Sequence, residues 1–118
     1  MRRAARILVV DDQPANLALV RRILDPVGFD VSEARSGAEA LAVAQEKSPD
    51  LILLDMHLPD MHGLDVLRRL RESARSGGVR VAAMSALATP EDSNAWLKAG
   101  CVGVIEKPID VRGFPNEV

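Results

Sequence analysis

Five polar residues of this chain stand at, or just beyond, the ends of short apolar runs. Asp11 and Asp12 follow Ile7 to Val10, Asp55 follows Leu51 to Leu54, Ser85 follows Val79 to Met84, and Lys107 comes after Val102 to Ile105. Carboxylates gathered in one place repel one another by about 4 kcal/mol per pair at roughly 4 Å in an effective dielectric near 20. A cation must offset that repulsion. Mg²⁺ does so best, because it prefers oxygen ligands, keeps several waters and takes one or two carboxylates plus phosphate oxygens. Lys107 adds a second, fixed positive charge. The chemistry such a set can do is phosphoryl transfer, with a carboxylate as the nucleophile that forms an acyl phosphate. Asp11 and Asp12 taken alone have a plainer reading, in which Asp12 caps a helix starting near Pro14. The matching positions of Asp55, Ser85 and Lys107 favour the shared site.

Bringing those residues together is the task of the elements between them. Nearly continuous apolar runs are what parallel strands covered on both faces require, and Val31 with its neighbours supplies a further one. Between the runs lie helix signals. Leu17, Val20 and Leu24 recur at helical spacing after Pro14, with Asp25-Pro26 as the stop and Gly28 just past it. Ser36 to Glu39 has capping-box spacing ahead of an Ala and Leu stripe that ends at Lys47 to Asp50. Leu64, Leu67 and Leu70 form a third stripe, closed by Ser76 to Gly78. Thr89, ahead of Pro90, Glu91 and Asp92, starts a fourth helix, and Gly100 is placed to end it. After Lys107, Gly113 and Pro115 restrict any last helix to one or two turns. Strands alternating with helices in this way predict an α/β chain with a parallel, doubly wound sheet. Ligands of such sheets bind outside the carboxyl ends of the strands, where all five polar residues would converge. The flank left thinly covered by a short last helix is expected to be an oligomer or partner contact, including a homodimer contact.

Composition narrows the function classes. At 118 residues the chain is sized for one domain, spanning 1–118, and 47% hydrophobic with 27% charged residues is the balance of a folded protein rather than a disordered tail. A formal net charge of −2 provides no global field for nucleic acid. The start, Met1 to Val10, holds three arginines and an apolar run that stops at acids, so it reads as neither signal peptide nor membrane span. A cytoplasmic location is expected. Cys101 is the only cysteine and sits among small neighbours, which predicts a buried thiol and no internal disulfide. Arg68, Arg69, Arg71 and Arg75 are expected to form the solvated face of one helix and its exit.

Four stretches together carry a specific resemblance: ILVVDDQP at Ile7 to Pro14, PDLILLDMHLPDMHG at Pro49 to Gly63, VAAMSA at Val81 to Ala86, and EKP at Glu106 to Pro108. With them the chain resembles, over nearly its whole length, the response-regulator receiver domains of two-component signalling, the CheY-like family. The resemblance implies a flavodoxin-like (βα)5 fold with strand order 2-1-3-4-5. It implies that Asp55 is the phosphoryl acceptor, that Asp12 ligates Mg²⁺ directly and Asp11 mainly through water, and that the backbone carbonyl of His57 completes the protein ligands. Ser85 would hydrogen-bond the phosphoryl group and Lys107 would be its ion-pair partner. Pro59 and Gly63 match the family pattern beside the acceptor, and Lys107-Pro108 resembles the family's usual cis peptide. The donor would be a histidine kinase or a phosphotransfer protein. Output would pass through helix four and strand five to a protein target, or to an effector domain absent from this chain. Such a protein is a switch rather than a turnover enzyme, with at most slow phosphorylation from small donors and slow self-dephosphorylation.

One position departs from the family. Val104 stands where many members carry Tyr or Phe, three residues before the lysine, and the chain contains no tyrosine. An aromatic readout at that position cannot operate. His57 and His62 read as exposed loop histidines rather than a transition-metal site, their side chains and Leu87 bearing on water access to an acyl phosphate. Trp96 reads as a packing or interface residue. Two other classes compete. A phosphatase of the haloacid dehalogenase type needs a DxD motif after the first strand, whereas here the position two past Asp55 is His57. A degenerate receiver would act as a phosphorylation-independent interaction module. A dinucleotide-binding domain lacks its glycine-rich loop here.

Overall fold

Alternation inside the apolar runs decides how the sheet is covered. The structure, a computed structural model, describes residues 4–73, 77–86 and 88–107. Five strands, β1 (Arg6–Val10), β2 (Asp30–Ala34), β3 (Leu51–Asp55), β4 (Arg80–Ser85) and β5 (Gly103–Glu106), alternate with four helices, α1 (Pro14–Leu24), α2 (Gly37–Lys47), α3 (Gly63–Glu72) and α4 (Pro90–Lys98). Every pairing is parallel and the strand order is β2-β1-β3-β4-β5, the flavodoxin-like arrangement. Successive side chains of a strand point to opposite faces. Leu8, Val10, Ile52, Leu54, Val81 and Ala83 therefore pack with α2, α3 and α4, while Ile7, Val9, Leu53, Ala82 and Met84 pack with Leu17, Val20, Ile23 and Leu24 of α1. Each such Leu, Ile or Val contributes about 1.5 to 3 kcal/mol by leaving water.

The helix ends follow local chemistry closely. Ser36 Oγ accepts from the Glu39 N–H at 3.1 Å to start α2. At α4 both arms of a capping box form, Thr89 Oγ1 accepting from Asp92 N–H and Asp92 Oδ2 from Thr89 N–H. The same helix ends in a Schellman motif: Gly100 N–H bonds Leu97 O, Cys101 N–H bonds Trp96 O, and Gly100 takes φ 113°. Two ends differ from expectation. Asp25-Pro26 stops the α-helical ladder, but the chain continues through a 3-10 turn over Asp25–Val27 before Gly28. α3 closes at Glu72, ahead of Ser76 to Gly78, because Arg71 turns back and donates to the carbonyls of Gly77 (3.1 Å) and Val79 (2.6 Å). Arg71 is thus a half-buried pin between α3 and β4 rather than a solvated charge; Arg68 and Arg69 are exposed as expected, and Arg75 lies outside the described residues.

Cys101 is buried, and desolvation pushes its thiol pKa up against the opposing pull of Arg71. On the α1 side of the sheet a cleft of about 650 Å³ opens among Ile7, Phe29, Leu53, Ala82 and Ile105. This is the flank assigned from sequence to a short last helix. That segment, the Lys107-Pro108 peptide and Leu87 lie outside the described residues. Among the described residues no helix is long and apolar enough to cross a membrane.

Candidate functional site

Strand register assembles the site. Val10 pairs with Leu54, Asp55 with Met84, and Ser85 with Glu106, so the residues that end β1, β3, β4 and β5 arrive at one edge of the sheet. Backbone bonds beyond the strands keep that edge tight: Asp11 N–H donates to Ala34 O at 3.0 Å, Met56 N–H to Met84 O at 3.0 Å, and Lys107 N–H to Ser85 O at 2.9 Å. Ser85 is fully buried where β4 ends.

The centre of the site is a lysine bridge. Lys107 Nζ lies 2.7 Å from Asp11 Oδ2 and 3.1 Å from Asp55 Oδ2. Asp11 is 1% and Asp55 3% exposed, and Asp12 beside them is more open. Burial alone would strip the Lys107 proton more easily, but hydrogen bonds to Asp11 and Asp55 and their charges outweigh it and hold the pKa above the ordinary lysine value. Ligand oxygens of Asp11, Asp12 and Asp55 lie within 4.8 Å of one another. Three carboxylates facing one ammonium leave surplus negative charge. Three carboxylates gathered this closely, with no nitrogen or sulfur ligand among them, are the donor chemistry a hard cation such as Mg²⁺ takes. His57 N–H donates to Asp55 Oδ1 at 3.0 Å, which leaves the two oxygens of this carboxylate held from different sides.

Several partners were not legible from the residue types. Asp11 Oδ1 accepts from Gln13 N–H at 2.9 Å, and Oδ2 accepts from the Asn16 amide at 3.2 Å. The plainer reading of Asp12 as a helix cap, already disfavoured by its neighbours, does not hold: Gln13 is the N-cap of α1 without a side-chain bond, and the carboxylate that meets the incoming turn is Asp11. The loop after β3 is anchored at its far end by Asp60, whose oxygens accept from the N–H groups of Gly37 (2.8 Å) and Ala38 (3.0 Å) at the start of α2. Those bonds, Gly37's foremost, hold the Asp60 carboxyl below the usual carboxylate range. Gly63 closes the loop against Met56, where a Cβ would come within 2.7 Å of the Met56 Cα. His62 caps α3, its Nδ1 accepting from Leu64 N–H at 3.2 Å. Both histidines are exposed, as expected of loop residues. Trp96 is a packing residue, 2% exposed in the cluster beneath α4, and Val104 is half-buried against the same cluster.

A doubly wound parallel sheet with acids and a lysine at its carboxyl edge is the arrangement that the resemblance to receiver domains implies. Residues 7–118 match the response regulator receiver domain, and the chain belongs to that family. It is 36% identical over 108 residues to the polar-differentiation response regulator DivK of Brucella ovis, a match covering 92% of this chain and 88% of that protein. Among solved structures it is similar to the chemotaxis protein CheY4 of Vibrio cholerae, with TM-score 0.90 and 26% identity over 97% of this chain and 95% of that one. It is also similar, with TM-score 0.86 and 27% identity over 97% of this chain and 93% of the other, to the receiver domain of a Pseudomonas aeruginosa sensor histidine kinase, a structure with a magnesium ion coordinated in its active-site cleft.

Proposed function

We propose that Asp55 takes a phosphoryl group from a phosphohistidine on a histidine kinase or phosphotransfer protein, and that this modification switches the surface around α4 and β5. The observation that carries the reading is the lysine bridge, one ammonium at 2.7 and 3.1 Å from two buried carboxylates. A carboxyl group held at the sheet edge can present an oxygen to phosphorus, and a cation fixed beside it meets the charge that develops there. In the transfer a carboxylate oxygen of Asp55 bonds to phosphorus while the phosphorus–nitrogen bond breaks, its electron pair leaving with the donor imidazole. Charge then spreads over the three equatorial oxygens. Lys107 meets that charge from the Oδ2 side, the Ser85 hydroxyl bonds the phosphoryl group, and His57 N–H orients the carboxylate through Oδ1.

Asp12, Asp55 and the His57 carbonyl would hold Mg²⁺, with Asp11 acting through water. The engagement of both Asp11 oxygens by Gln13, Asn16 and Lys107 supports that outer role. When bound, the cation neutralises the acids and orients the phosphoryl oxygens. The modified Asp55 carries about −1.5 to −2 charge and three acceptor oxygens. Ser85 and Lys107 gain bonds to it, and drawing Ser85 inward moves the loop after β4, biasing a two-state surface. The same groups support slow phosphorylation from small donors and slow self-hydrolysis. Residues 1–118 act as one receiver domain, cytoplasmic, that signals to a protein target or to an effector domain outside this sequence.

Intact-mass spectrometry after incubation with acetyl phosphate and Mg²⁺ tests this. A single phosphoryl adduct is expected, released by hydroxylamine, prevented by chelator and absent from Asp55→Asn. A folded protein that forms no adduct would overturn the reading and leave the phosphorylation-independent interaction module.

A further inference from the structure

The loop that carries the acceptor's hydrogen-bond donor also touches the one buried side chain of α4. His57 N–H bonds Asp55 Oδ1 at 3.0 Å, and the His57 ring lies edge-on to Trp96, centroids 6.3 Å apart at 70°. The His62 ring approaches the His57 ring at 6.0 Å and 81°. His57 is thus flanked by two rings while its amide reports on the acceptor. Helices α1, α3 and α2 bury four, three and two side chains, whereas α4 buries Trp96 alone. Its ends are locked by the capping box and the Schellman motif, and just past the C-terminal end buried Cys101 and the Val102 N–H on Val81 O tie it to β4, so Trp96 is the one buried contact along the rod itself.

We propose that Trp96 is the residue through which the state of Asp55 reaches α4, an inference that rests on Asp55 being the acceptor. Phosphorylation turns one carboxylate oxygen into a bridging oxygen and adds charge, so the His57 N–H must weaken or exchange its bond. Residue 57 re-aims, and its ring carries the change to the indole. A close-packed indole cannot absorb the displacement in place. With no other buried side chain between Pro90 and Lys98 to resist it, α4 shifts about its C-terminal tie to β4. Val104, half-buried in the same cluster, is too small to relay such a change, and the bulk that β5 lacks is supplied from the helix.

The experiment follows adduct formation by intact mass, Trp96 emission, and amide exchange of residues 90–98, all with Mg²⁺ before and after acetyl phosphate. Trp96 is the only tryptophan, so emission reports on this contact alone. In the wild type, emission and α4 exchange are expected to change as the adduct appears. Trp96→Leu is expected to form the adduct to the same extent but to lose at least two-thirds of the exchange response. Trp96→Phe, which keeps a ring against His57, is expected to retain it. Adduct in the wild type without any change in Trp96 emission overturns the inference, as does a full exchange response in folded Trp96→Leu. Should Trp96→Leu not fold, the wild-type emission decides. No adduct in the wild type overturns the acceptor reading and this inference with it.

Discussion

The charged pocket and the loop beside it are built on different principles. Asp11, Asp55 and Lys107 hang from strand ends, nearly all out of water, and every strand register tightens their placement. The stretch from His57 to His62 has Leu58 and Met61 on the core, but its polar and ring contacts lie nearer the surface: Asp60 on the start of α2, His62 on its own helix, and the exposed His57 ring against His62 and Trp96. Rigidity suits the groups that must meet developing charge within a fraction of an ångström. Looser anchoring suits a segment that must register whether the charge is there. Under the proposed acceptor role, the pocket would do the chemistry and the loop beside it would report it.

The contrast can be broken most forcefully at the lysine. Lys107→Ala leaves buried carboxylates without their cation, and we expect a loss of about 2 to 3 kcal/mol in chemical denaturation without metal. Added Mg²⁺ should return part of it, which an ordinary packing defect would not show. Because the Lys107 pKa is raised, its contribution is complete below the ordinary lysine value and disappears only as pH rises through the raised one. A neutral-pH loss of stability in the wild type would contradict that assignment.

Gly63→Ala attacks the closure between pocket and loop. The added Cβ meets the Met56 backbone, which cannot swing aside as a side chain tip would, and a cost of about 1 to 3 kcal/mol is expected. Apparent Mg²⁺ affinity should fall with it, since Met56 lies between Asp55 and His57. Unchanged affinity and thermal midpoint would mean the loop tolerates displacement better than its packing implies.

Asp60→Ala sharpens the comparison from the loop side. Removing an acceptor for two N–H groups at α2 should lower Tm near neutral pH while leaving Asp55 modifiable. The Asp60 pKa is depressed, so its contribution is present above the ordinary carboxylate value of 3.8 and is lost as pH falls through the depressed one. Thermal melts of wild type and variant should converge in acid. A difference that persists there would assign the effect to packing. The smallest expectation concerns Cys101: buried with its pKa raised, it should react with a disulfide reagent at neutral pH far more slowly than a free thiol, and rapid modification of the native protein would contradict its burial.

Residue types and spacing were enough for the five strands, the four helices and the gathering of Asp11, Asp12, Asp55, Ser85 and Lys107 at one edge. Those features are written locally, as apolar runs, caps and strand-end polar residues, and a parallel sheet admits few ways of arranging them. Asp60 on Gly37, Arg71 on Val79 and His57 on Trp96 were not legible, because each depends on where a loop or a long side chain lands after the helices have packed. Asp60 and Gly37 lie 23 positions apart, with nothing in either residue type that names the other. The sequence determined by itself which charged and hydroxyl side chains stand at the strand ends, since residue type and strand-end position belong to single residues. Only the tertiary structure decided how the loop after Asp55 is anchored and that Trp96 is the one buried side chain within α4, since those are properties of distances between elements.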